Sequence, residues 1–94
     1  MNEFFESLAK RWTKAAQRHG VKMEEPRVDP KVAEELLELA RVVAHTKERR
    51  FAPLATYTAG IAVERLREAK PDDAEAIAAF IREVREALEK EPPA

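Results

Sequence analysis

Cysteine is absent from the 94 residues of this chain. That removes disulfide scaffolds, cysteine-ligated zinc and thiol redox chemistry together. Glycine is almost absent too, with only Gly20 and Gly60. No glycine-rich loop exists to cradle a phosphate, and the G-x-S-x-G elbow of a serine hydrolase is missing. Histidine occurs only as His19 and His45, and neither belongs to an H-x-x-x-H or E-x-x-H pair, so no helix-borne metal site is read. No apolar run is long enough to span a bilayer. The longest uncharged stretch, residues 51–63, has thirteen residues and is rich in Ala and Thr. The start, M-N-E-F-F-E-S-L-A-K-R-W, lacks the basic head and apolar centre of a secretory signal. Net charge is −1, so no overall field draws in nucleic acid. These absences lead us to expect a cytoplasmic protein that is not an enzyme, with no cofactor, no metal, and no nucleic-acid or membrane partner.

Charge is plentiful at 37% of residues, and its sign alternates. Segments 1–28, 29–46, 47–70 and 71–94 carry +2, −2, +3 and −4, which suits neighbouring helices that attract. Helical punctuation agrees with that division. Asn2 caps a first helix, with Glu3 and Glu6 in its first turn. Phe5, Leu8, Trp12 and Ala15 or Ala16 recur at helical spacing, and Gly20 closes the helix. Pro26 marks a connector. Asp29-Pro30 opens a second helix with Val32, Leu36, Leu39, Ala40 and Val43 on one face, widened by Leu37 and Ala44, and an end near Thr46. A third begins near Pro53. Its Leu54, Tyr57, Ile61, Val63 and Leu66 populate more than one face, the mark of a central, buried helix. Gly60 inside it implies that a close neighbour offsets a cost of about 1 kcal/mol. Lys70-Pro71 ends that helix, and P-D-D-A-E-A opens a fourth. Its seam of Ala74, Ile77, Ile81, Val84 and Leu88, with Phe80 beside it, is narrow. The expected architecture is all-α, a compact four-helix bundle-like single domain over 1–94, with residues 91–94 a frayed tail.

Functional candidates gather at one corner, A-H-T-K-E-R-R-F-A-P-L, residues 44–54. His45 follows Arg41 by four residues and shares its helix face. Either it bonds the last carbonyls of its helix, where positive charge is favoured, or it faces a ligand. Arg49 and Arg50 precede Pro53. Unpaired N–H groups at a helix start, beside guanidinium groups, suit an oxyanion; the alternative is a solvated basic loop. Tyr57 reads as a core residue whose hydroxyl finds one partner, or as part of the same binding surface. The hydroxyls of Thr56 and Thr58 are expected to bond back to the preceding turn. Phe4, Phe5 and Trp12 read first as core, since the first helix otherwise buries little, and second as a docking face or membrane-surface anchor.

Residues 39–62, L-A-R-V-V-A-H-T-K-E-R-R-F-A-P-L-A-T-Y-T-A-G-I-A, resemble a small bacterial family of unknown function. Its members carry a run close to L-A-R-x-x-A-H-x-x-x-R-x-x-A-P-L-T-T-[FY]-x-x-G. Leu39, Ala40, Arg41, Ala44, His45, Arg49, Ala52, Pro53, Leu54, Thr56, Tyr57 and Gly60 match it. Thr46, Arg50 and Ala55 depart from it, the first two where glycine and proline are usual. Some members are fused to, or encoded near, a molybdenum-cofactor guanylyltransferase-like domain. The resemblance implies a stand-alone accessory domain serving molybdenum-cofactor chemistry, and it marks the His45–Pro53 corner as a family feature.

These readings converge on a non-catalytic binding or interaction module, accessory to molybdenum-cofactor biosynthesis on the strength of the resemblance. Its working surface is the junction of the second and third helices: Arg41, His45, Arg49, Arg50 and Tyr57. The partner is a protein or a small anionic ligand. Two alternatives stand beside it, a structural module that self-associates as a homodimer through the fourth helix, and an enzyme acting through His45.

Overall fold

The computed structural model describes residues 2–69 and 73–92. Four α-helices run in the order α1 (Glu3–Arg18), α2 (Pro30–Thr46), α3 (Ala52–Ala69) and α4 (Ala74–Glu89), with a 3-10 turn at Arg49–Phe51 ahead of α3. No strand occurs among the described residues, and the protein is all-α as expected. Lys70, Pro71 and Asp72, read above as ending one helix and opening the next, lie outside the described residues, as do Pro93 and Ala94 of the tail. The chain divides into two compact units, Met1–Pro30 and Lys31–Ala94.

Local rules build the first unit. The Phe5 N–H donates to the Asn2 side chain at 3.2 Å, and Glu3 and Glu6 sit at the positive end of α1. At the other end Gly20 adopts φ 77°. The Val21 N–H donates to the Ala16 carbonyl at 2.8 Å and the Gly20 N–H to that of Gln17 at 3.0 Å, the paired bonds of a Schellman motif. The left-handed glycine reverses the chain, so the connector returns along α1. Pro26 and Val28 line a groove with Phe5, Leu8 and Trp12, and Arg27 pairs with Glu6 at 3.5 Å. Ala9 is buried, but Phe4, Phe5 and Trp12 are exposed, contrary to the core role first expected of them. One extended segment is too narrow to cover a whole helix face.

In the second unit α2 and α4 supply most of the core. Val32, Leu39 and Val43 of α2 meet Ile77 and Ile81 of α4, and α3 contributes Val63 alone; Leu36 and Phe80 pack against this cluster. The α4 seam is therefore used inside the unit at Ile77 and Ile81, while Val84 is exposed. That leaves little of it for the homodimer contact considered above. Helix α3 is not the central helix its uncharged run led us to expect: only Val63 is buried, and Leu54, Tyr57 and Ile61 face solvent. Its small residues Ala55 and Ala59 pack against the core instead. At about 100° per residue, Leu54 lies half a turn out of phase with Val63. Leu37 of α2 is exposed, while Glu35 holds a buried position. Open space surrounds the point where a Cβ would stand on Gly60, so no close helix contact accounts for that glycine.

Candidate functional site

The corner is built from the end of α2 upward. The Thr46 hydroxyl donates to the Val42 carbonyl at 2.8 Å, and the Lys47 N–H donates to that of Val43 at 2.9 Å. The 3-10 turn then runs directly into α3. The Phe51 N–H donates to the Glu48 carbonyl at 3.0 Å, and the Ala52 N–H donates to the Arg49 carbonyl. Pro53 has no N–H to offer. The turn that precedes α3 thus uses the Ala52 N–H, one of the donors expected to stand free at the helix start.

The five predicted residues separate into two groups. Arg41 is tied to Glu38 through Nε at 3.1 Å and Nη2 at 2.9 Å, and it lies 3.9 Å from Glu89 on α4. It thereby links α2 to α4. The other four surround the turn and the outer side of α3. His45 is exposed in the last turn of α2, and its ring bonds to no described residue. Arg49 is exposed and forms no ion pair among the described residues. Arg50 pairs with Glu48 at 3.5 Å and stands 5.8 Å from the centre of the Phe51 ring, within cation–π range. Tyr57 is 71% exposed and Leu54 65%, so Tyr57 is no core residue. Thr56 and Thr58 donate back to the carbonyls of Pro53 at 2.9 Å and Ala55 at 2.8 Å, as expected. The result is a line of exposed apolar side chains, Leu54, Tyr57 and Ile61, at the i, i+3, i+7 spacing of one helix face. Arg49, Arg50 and Phe51 stand at its head.

A second cluster joins residues that the sequence pattern does not single out. Glu35 accepts from Arg82 Nε at 2.8 Å and from Arg85 Nε at 3.2 Å, and Arg85 Nη1 donates to Glu89 at 2.7 Å. Burial pushes the Glu35 pKa up, but the hydrogen bonds and charges of Arg82 and Arg85 outweigh it, and the net shift is downward. Burial likewise works against the charged form of Arg85, while Glu35 and Glu89 overcome it and move its pKa up. Each charge is matched by another, so the cluster clamps α2 to α4 and presents no reactive group. The signal in the sequence was an acid between Val32 and Leu39 on the apolar stripe of α2, facing a helix whose own stripe is bordered by Arg82 and Arg85. Lys47, beside the corner, pairs with Glu91 at 3.0 Å.

Among the described residues no group of three or more His, Asp or Glu side chains is placed to hold a metal ion. No helix of the described residues is long and apolar enough to cross a membrane. The corner and the α3 stripe expose apolar area, an aromatic hydroxyl and guanidinium groups. No curated protein and no solved structure matches the chain. The model of one family does match, from the first turn of α1 to the last residue and so through both the corner and the α3 stripe; over residues 5–94 the chain belongs to the domain of unknown function DUF6457.

Proposed function

We propose that the protein is a non-catalytic interaction module whose protein partner docks along the outward face of α3. Arg49 and Arg50 meet acidic groups of that partner at the head of the stripe, with His45 on the rim. The observation that carries this reading is the exposure of Leu54, Tyr57 and Ile61 in one line, on a helix that turns its alanines inward. Covering apolar surface is worth roughly 25 cal/mol per Å², and tyrosine and arginine are the residue types that most often anchor interfaces. Arg41, engaged with Glu38 and Glu89, has a supporting part in this scheme and holds α2 in place.

The resemblance of residues 39–62 supplies a specific partner to try, a molybdenum-cofactor guanylyltransferase-like protein from the same cell. On that ground we place the module as an accessory to molybdenum-cofactor biosynthesis. Titration calorimetry between the two purified proteins tests both statements. We expect binding that weakens at least tenfold in Tyr57→Asp and weakens with added salt in wild type more than in Arg49→Ala/Arg50→Ala. Equal binding by wild type and Tyr57→Asp would remove the α3 surface from the reading. Absence of binding by the wild type would remove the molybdenum-cofactor placement.

A further inference from the structure

The first unit carries a second surface, independent of the one on α3. Three of the six aromatic side chains in the protein lie on α1. Phe4 is 64% exposed and Trp12 54%, and Phe4 and Phe5 meet edge to face with ring centres 5.0 Å apart. The connector extends the apolar area. Trp12 and Pro26 line both grooves along this face, one with Phe5 and Val28, the other with Val21 and Met23. These side chains form one continuous patch within the unit.

The opposite side of α1 is basic. Lys10, Arg11, Lys14 and Arg18 line a shallow polar concavity with Ser7, and none of the four cations forms an ion pair among the described residues. Glu6 pairs instead with Arg27. At about 100° per residue, Phe5, Leu8, Trp12 and Ala15 centre the apolar face. Arg11 and Arg18 fall at its border, about a quarter to a third of a turn from that centre, while Lys10 and Lys14 lie nearly opposite. A helix with aromatic residues on one face, cations on the other and a length of 16 residues is about 24 Å long. It is too polar to cross a bilayer and suited to lie in its surface.

We infer that α1 and its returning connector form an interfacial anchor for anionic lipid bilayers, with Phe4, Phe5 and Trp12 entering the headgroup boundary and Arg11 and Arg18 meeting lipid phosphates. Charge selects this occupant. An apolar patch alone would suit any greasy partner, but the border arginines can extend their heads toward anionic headgroups while their stems stay on apolar surface. Each cation close to such a surface strengthens binding on the order of fivefold. Lys10 and Lys14 stand a helix diameter away, near the Debye length of about 8–10 Å, and contribute less. The net charge of −1 concealed this surface, because the acids of segment 71–94 offset the cations of α1. The expectation of no membrane partner rested on the absence of a spanning apolar run, which does not bear on a helix lying in the bilayer surface.

Trp12 is the single tryptophan of the chain, so its emission reports directly on this face. The full-length protein is mixed with vesicles of pure phosphatidylcholine, or of phosphatidylcholine with phosphatidylglycerol. Expected is a blue shift of Trp12 emission, with quenching by brominated lipid, on the anionic vesicles only, reversed by salt. Arg11→Gln/Arg18→Gln should lower partitioning at least tenfold, and Lys10→Gln/Lys14→Gln by a smaller factor; unchanged helicity by circular dichroism confirms that both variants fold. No shift on anionic vesicles overturns the inference. So does a blue shift that follows protein concentration without lipid, which would assign the face to a second copy. So does binding lost more through Lys10 and Lys14 than through Arg11 and Arg18, with Trp12 unmoved, which would assign the helix to a polyanion.

Discussion

Removing the Glu35 carboxylate is the sharpest test of how the second unit is held together. Glu35 is 9% exposed and accepts from Arg82 and Arg85 at 2.8 and 3.2 Å. Breaking a fully buried ion pair by deleting one member costs about 3–5 kcal/mol. Two features lower that figure here. Arg82 is exposed and can return to water, while Arg85 keeps Glu89 at 2.7 Å. What remains is roughly one charge-assisted hydrogen bond to a group that stays largely buried, so Glu35→Ala should cost about 1.5–3 kcal/mol. For a domain of this size each kcal/mol moves Tm by about 4–8 °C, so melting followed by circular dichroism should fall by roughly 6–24 °C. The acid dependence has a definite sign. The folded pKa of Glu35 lies below its ordinary value, so its stabilisation is complete above that value and disappears as pH falls through the folded one. The gap in stability between wild type and Glu35→Gln should hold steady from neutral pH down to about 4.3 and close below it. A gap under about 0.5 kcal/mol at neutral pH, the level of an ordinary surface substitution, or one that widens in acid, would refute the clamp.

Three further outcomes follow from the burial pattern and the corner. In chemical denaturation Ile81→Ala should cost about 2–5 kcal/mol and Leu54→Ala less than about 1 kcal/mol; the reverse order would restore α3 as the central helix. Gly60→Ala, with open space at the Cβ position, should raise stability by about 0.4–1 kcal/mol, and a loss would reveal a contact on that side of α3. Because the 3-10 turn occupies the Phe51 and Ala52 N–H groups, any extra rise in Tm from sulfate over chloride should survive Arg49→Ala and His45→Ala as general salting-out; a rise abolished by either substitution would show a specific anion site.

The helix limits were legible because they depend on neighbours in sequence. Asn2 caps α1, Gly20 reverses the chain after it, and Pro30 opens α2, each through a backbone preference that needs no tertiary contact. The α4 face was largely legible too, since Ile77 and Ile81 repeat at a spacing that points one way. Helix α3 offered no such direction. Apolar residues on every side carry no vector, and ranking them by size favoured Leu54 and Tyr57 for the interior. Packing chose by fit: Ala55 and Ala59 pack against the core, and the larger side chains were left outside.

Glu35 shows the complementary difficulty. A carboxylate on an apolar stripe reads as an interruption until its partners are known, and Arg82 and Arg85 lie 47 and 50 residues away. Once paired, it acts like another core position that also fixes the register of α2 against α4, because two guanidinium groups must reach one carboxylate at hydrogen-bonding distance. The same logic bears on the corner. Arg41 and His45 share a helix face by spacing, yet Arg41 is held by Glu38 and Glu89 while His45 remains in solvent. Spacing settles which side chains can meet; competing acids, Glu38 on α2 and Glu89 on α4, decide which of them do. Arg49 at the turn and the basic face of α1 are among the cations that no such acid claims among the described residues, and they keep their charge to offer a partner.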